Sequence, residues 1–223
     1  MTQEERMARF ADKKTFQDWD PGDLWAAFGV KEILSHPILT EWVAAVHPVP
    51  PHKVADVERL ALLMKIKRSA WNETELRNGF ISPLLAMISF EGEGFSTFSE
   101  RTLTAKVDGI TLTGTVDWMV ASGNYRPEKP IFFLHEYKRF KAGEADPFGQ
   151  LVASMLAAQA LNDSQEPMFG AVVVANIWYF VVLDGREFAL SASFDAADPE
   201  ELPRIWSVLM EMKLRIEKQL QTA

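Results

Sequence analysis

Three charged residues stand where a strand-rich segment would otherwise be apolar. Asp117 interrupts the alternating run TVDWMV, and Glu136 and Lys138 end the run IFFLHEYK. On a strand, residues two apart share a face, so Glu136 and Lys138 point one way and His135 and Tyr137 the other. If the two runs pair, Asp117 and Glu136 converge on one site. Two carboxylates beside a lysine make poor packing but a good site for a hard divalent cation, which takes oxygen ligands. The chemistry on offer there is attack on phosphorus by a bound water of lowered pKa. Lys138 would orient or stabilise the attacking hydroxide and the charge developing on phosphorus. A plainer reading makes Asp117 a solvent-facing strand acid, and Glu136 and Lys138 a solvated strand end continuing into Arg139 and Lys141. The apolar run ahead of them favours a partly buried tip.

These residues need strands to carry them, and the surrounding pattern supplies them. FSTFSERTLTAKV and ITLTGTVDWMVA alternate with period two around Asp108-Gly109, a two-residue hairpin signal. The loop SGNYRPEKP leads to a third strand, apolar on both faces from Ile131 to Leu134, as a central covered strand should be. Asp146-Pro147 introduces the helix FGQLVASMLAAQAL. GAVVVA and IWYFVVL are strands with a turn at Asn176, and Asp184-Gly185 makes a further hairpin into REFALSAS. A long helix closes the chain, with its apolar stripe at Leu202, Ile205, Leu209, Met212, Ile216 and Leu220.

The first part of the chain reads as helices. Residues 1 to 14 are a polar, frayed end. PGDLWAAFGVKEIL and HPILTEWVAAV have helical spacing, with Pro37 in a first turn, and Val57, Leu60, Ala61, Leu63 and Met64 form another stripe. Residues 72 to 89 continue as helix, with Asn72 as N-cap, Glu75 at the capping-box offset, and Pro83 as a kink or division. The expected architecture is mixed α/β, with an N-terminal helical lobe over residues 1–70 and a core with a C-terminal helix over residues 71–223.

Composition narrows the function. The 223 residues are 48% hydrophobic, enough to bury a core. No cysteine is present, which removes disulfides, Cys-ligated zinc and a thiol nucleophile. The net charge of −8 argues against a module that binds nucleic acid by bulk electrostatics alone. The polar N-terminus and the lack of a long apolar run make a cytoplasmic, non-membrane protein the expectation. The chain has no phosphate-binding G-x-x-x-x-G-K-[ST] loop, no dinucleotide G-x-G-x-x-G, no G-x-S-x-G elbow and no H-E-x-x-H pair.

The sequence resembles the PD-(D/E)XK, or restriction-endonuclease-like, nucleases. The resemblance rests on Gly114-Thr115-Val116-Asp117 as the first acidic motif and Glu136-Tyr137-Lys138 as the E-x-K motif. It covers about residues 70 to 193. Val116 stands where the first motif often has proline. The resemblance implies a mixed β-sheet core flanked by helices and a nuclease acting on DNA with Mg²⁺ or Mn²⁺. It also implies a metal set of Glu75, Asp117 and Glu136, with Lys138 assisting water and Gln150 as the polar residue on the following helix. Glu75 is equally the cap partner of Asn72, and Gln150 equally a polar helix start. A homodimer or partner subunit would supply target binding to so acidic a chain. Two other readings stay open: a nuclease-like scaffold acting as a binding or regulatory module, and an α/β domain in which the acids and lysine are chance neighbours.

Outside this constellation the expectations are structural. His135 has no assigned role, and Trp25, Trp42, Trp71 and Trp206 are read as core. Lys65, Lys67 and Arg68 are read as a solvated helix face, and with Lys138, Arg139 and Lys141 they make the best basic patch.

Overall fold

The computed structural model describes residue 5 and residues 8 to 11, 15 to 138 and 146 to 222. Arg139 and Lys141 lie outside them, as does most of the polar end. Within that end Phe10 is buried, its ring 5.5 Å from Trp19, so this part is packed rather than frayed.

Eight strands form one mixed sheet: β1 (Lys31–Glu32), β2 (Phe95–Val107), β3 (Ile110–Ser122), β4 (Glu128–Lys138), β5 (Met168–Val174), β6 (Ile177–Asp184), β7 (Glu187–Leu190) and β8 (Phe194–Asp195). The order is β1-β7-β6-β5-β4-β3-β2, with β8 also on β6. Most neighbours are antiparallel hairpin partners. β4 and β5 are parallel and joined through a helix, and β1, from early in the chain, pairs parallel with β7. Asp108 and Gly109 both take positive φ between β2 and β3, the backbone that a two-residue hairpin turn demands.

Helices cover both faces. α2 (Pro37–Val43), α3 (Val54–Lys67), α4 (residues 73–88) and α6 (Leu202–Thr222) bury their stripes on one face, with Phe133, Tyr137, Val173, Trp178 and Phe180 of the sheet. Here α4 is the run Glu73–Leu76, a π-helical turn Arg77–Ile81, and Ser82–Ile88. The opposite face carries α1 (Pro21–Phe28) and α5 (Pro147–Asn162) over Leu112, Met119, Leu134, Val172 and Val181. The helices ahead of residue 70 therefore complete both cores rather than building one of their own, and β1 joins the sheet edge. Among the described residues, no helix is long and apolar enough to cross a membrane.

Three local outcomes differ from the pattern reading. The helix beginning at Pro21 stops at Phe28, because Gly29 takes a left-handed conformation at its C-cap and the chain then enters β1. Trp25 consequently sits on the outer face and is 57% exposed, while Trp42 and Trp206 are buried and Trp71 half-buried. Pro83 divides its helix not by a kink but behind a π-helical turn, in which the Ser82 N–H reaches back to the Arg77 carbonyl. Proline has no N–H and crowds the carbonyl one turn back, so a wider turn ahead of it relieves both problems.

α5 is buried almost all round, and it sets the geometry of β4. Asp146 caps it by accepting from Phe148 and Gly149 N–H at 2.9 and 3.2 Å. Gly149 lets the Trp19–Asp20 backbone lie against the helix: a Cβ there would come within 2.3 Å of the Trp19 carbonyl oxygen. At the far end, Asn162 pins β4 by donating to the Ile131 carbonyl at 2.7 Å and accepting its N–H at 2.8 Å.

Candidate active site

Asp117 sits where β2 and β3 change face. Leu112 and Val116 point into the α5-side core, but so do Met119 and Ala121, so the inward parity of β3 shifts across Asp117. β2 shifts with it, between Phe98 and Leu103, and the pairing register is kept on either side. The residue of β2 between the pairs Ser99↔Trp118 and Arg101↔Val116 is Glu100, which has a positive φ of 54°. Asp117 is thus an irregular point in the ladder, and its carboxylate does what a backbone carbonyl would otherwise do. Its Oδ2 accepts the Tyr137 N–H at 2.8 Å.

This bond brings Asp117 to the tip of β4. Glu136 is 3% exposed and faces the α5 side, as Leu134 does. Lys138 is half-buried, and its ammonium stands 2.8 Å from Glu136 Oε1. The contact is a close, largely buried ion pair, and it satisfies Oε1 by charge rather than by the backbone. Burial pushes the Glu136 carboxyl up to about 8, the Asp117 charge pushes it the same way, and Lys138 opposes both. Asp117 is also raised, first by burial and then by Glu73, against the Tyr137 N–H, Lys138 and Arg77. Burial pulls Lys138 down, but Glu136 overcomes it and the ammonium is held above its ordinary value. The arrangement is a short string of acid, acid and base at the carboxyl end of a parallel-paired strand, where open α/β sheets place ligands.

The acidic residue of α4 that acts on this site is Glu73. Its charge bears on Asp117, Glu136, Lys138 and Arg77. Glu75 is occupied as a cap: Asn72 Oδ1 accepts its N–H at 2.9 Å, and its own Oε2 accepts the Asn72 N–H at 2.8 Å. At about 100° per residue the two acids lie roughly 200° apart around the helix, while Glu73 and Arg77, four apart, share a face. The structure therefore brings Asp117, Glu136 and Lys138 together and turns Glu75 to helix capping. The signal for Glu73 was present in ETELR: the capping box already used Glu75, and the i, i+4 pair of Glu73 with Arg77 marked the other face.

Gln150 is 3% exposed in the first turn of α5, and its Oε1 has no hydrogen-bond partner. The β4–α5–β5 crossover puts that turn at the same end of the sheet as Lys138. His135 is fully buried on the opposite face of β4, where burial drives it down to about 3. It is enclosed by Trp118, Phe133, Tyr137 and Trp178, with Nδ1 3.1 Å from the Tyr137 hydroxyl. It is a core histidine. Lys65, Lys67 and Arg68 are exposed, as a solvated face should be.

The donor set suits a hard cation: two carboxylates, Asp117 and Glu136, on neighbouring strands, with Glu136 buried and ion-paired to Lys138. Among the described residues, no three His, Cys, Asp or Glu side chains converge closely enough to form a ready-made metal cage. Two protein oxygens with water and substrate filling the remainder is the usual manner of Mg²⁺. A cavity of about 300 Å³, lined by residues that include Val107, Gln159, Asp163 and Arg186, lies at the other end of α5 and shares no residue with this site. No protein-family model and no curated protein matches the chain.

Proposed function

We propose that the chain is a restriction-endonuclease-like nuclease that hydrolyses phosphodiester bonds in DNA with Mg²⁺ or Mn²⁺. One observation carries the reading. Asp117 and Glu136 stand on neighbouring strands, the Asp117 charge adds to the burial that raises Glu136, and the Lys138 ammonium lies 2.8 Å from Glu136. Two such carboxylates resist joint ionisation unless a cation lies between them. The mixed sheet with its β4–α5–β5 crossover supports the fold assignment.

Asp117 and Glu136 would hold the metal, with Glu73 rather than Glu75 as the third acid within its field. The metal, when bound, supplies a Lewis acid for the phosphoryl oxygen and an acidified water. Tyr137 N–H fixes Asp117 Oδ2, and Oδ1 would be the oxygen offered to the metal. Lys138 stays protonated and, released from Glu136, donates to the attacking oxygen and to charge growing on phosphorus. Burial of Glu136 keeps bulk water from the charged groups and strengthens their fields. With a net charge of −8, a second copy or a partner subunit would supply much of the grip on DNA.

The test is cleavage of mixed DNA substrates in Mg²⁺ or Mn²⁺, beside Glu136→Ala and Lys138→Ala. Metal-dependent cutting is expected from the parent, with each variant slowed at least about a hundredfold. Undiminished cutting by Lys138→Ala would remove its assignment. The direct Lys138–Glu136 ion pair favours a second reading, since it balances charge without a metal: a nuclease-like scaffold whose partner binding survives loss of Asp117 and Glu136.

A further inference from the structure

The carboxylates and Lys138 do not exhaust the charges at this site. Arg77 lies one helical turn beyond Glu73, on the same face, and opens the π-helical turn Arg77–Ile81. Its Nη1 donates to Glu100 Oε1 at 2.5 Å. Glu100 is the β2 residue across from Asp117, held there by the left-handed backbone that marks the face change of both strands. Two irregular features, a π-turn and a positive-φ strand residue, thus converge on one ion pair beside the candidate site. π-helical turns inside helices recur at functional positions, and non-glycine residues with positive φ are uncommon.

The pairing looks provisional in its chemistry. Glu100 is 61% exposed in its side chain and Arg77 30%, so the bond lies at the surface, where an isolated ion pair contributes little to folding. Arg77 also feels Asp117 and Glu73, so it is the guanidinium among the acids, and its partner Glu100 lies on β2, on the far side of the Asp117 strand from Lys138. Glu73, Glu100, Asp117 and Glu136 stand against Arg77 and Lys138. An approaching polyanion meets an acidic site unless one cation is free to receive it. Guanidinium binds phosphate through two parallel N–H donors, a geometry the lysine ammonium cannot offer.

Resting on the nuclease reading, we propose that Arg77 is the phosphate anchor of this site and that Glu100 is its stand-in partner. When a nucleic-acid backbone arrives, Arg77 exchanges the Glu100 carboxylate for a phosphodiester adjoining the Asp117–Glu136 pair. Arg77 then positions the backbone, while Lys138 serves the bond that breaks. Glu100 sets how readily Arg77 is released, and so tunes affinity without touching the substrate.

The experiment measures binding apart from cutting. A short fluorescein-labelled DNA duplex and its single strand are titrated by anisotropy in Ca²⁺ across a salt series, with cleavage followed separately in Mg²⁺. Arg77→Ala should weaken binding roughly tenfold to a hundredfold and lower the salt slope by about one. Arg77→Lys should restore part of the affinity, and Glu100→Gln should tighten binding severalfold by removing the competitor. In Mg²⁺, Arg77→Ala should raise KM more than it lowers kcat. Arg77→Ala binding with the parent's affinity and salt slope would overturn the proposal. So would Glu100→Gln weakening binding as Arg77→Ala does, which would make the pair merely structural, or a parent that binds neither DNA. A parent that binds through Arg77 yet never cuts supports the anchor and rejects the nuclease.

Discussion

Two buried groups on opposite faces of β4, Glu136 and His135, make the metal-free protein's stability depend on pH in a specific way. Glu136 has a folded-state pKa of about 8 against an ordinary 4.5, so the folded state binds that proton more tightly. Its contribution is complete below 4.5 and is lost as pH rises toward 8, at roughly 1.4 kcal/mol per unit. His135 runs the other way. Its folded pKa is about 3 against 6.5, so the unfolded chain takes the proton first and stability is lost as pH falls from 6.5 toward 3. Between 4.5 and 6.5 the two slopes oppose each other. From 6.5 to about 8, an interval of about 1.5 units (8 minus 6.5), the His135 slope has ended and Glu136 gives a loss of about 2 kcal/mol, with the raised Asp117 acting in the same direction. For a domain of this size that is a fall in Tm of roughly 4–8 °C. Urea and thermal unfolding in chelator, stepped across this interval, would measure it. Glu136→Gln should remove most of the fall above 6.5 and expose the rising His135 slope below it, whatever its own effect on absolute stability. A parent whose stability is flat from 6.5 to 8, or a Glu136→Gln variant whose profile runs parallel to the parent's, would refute the reasoning.

The two acids of α4 should separate by function. Glu75→Ala should cost about 0.5–2 kcal/mol in urea unfolding, since it breaks the reciprocal cap with Asn72. Its cleavage should stay within a few-fold of the parent, whereas Glu73→Gln, which leaves the cap intact, should reduce metal-dependent cleavage at least tenfold. Equal effects of the two on cleavage would return Glu75 to the site. Gly149→Ala should destabilise by roughly 1–3 kcal/mol, because its Cβ would press on the Trp19 carbonyl, a backbone atom that cannot swing away. A neutral result by thermal unfolding would mean that the Trp19–Asp20 segment yields freely.

Local chemistry made much of this molecule legible without coordinates. Hairpin turns at Asp108-Gly109 and Asp184-Gly185, the period-two runs beside them and the caps Asn72 and Asp146 act over a few residues, so their meaning is written in adjacent letters. The spacing of Glu136 and Lys138 followed from strand periodicity in the same way. Tertiary structure decided what those letters could not. Which of Glu73 and Glu75 serves the site depends on how α4 is rotated against the sheet, and that rotation is set by Leu76, Phe80 and Leu84 packing on a core assembled from distant segments. The coupled face change of β2 and β3, invisible in the period-two pattern, places Glu100 across from Asp117 and against Arg77. The helices before residue 70 have amphipathic stripes that fit either a lobe of their own or a shared core. Only the sheet, whose two faces both need cover, divides them between its sides. A pattern of apolar residues states that a face must be buried; it does not state against what.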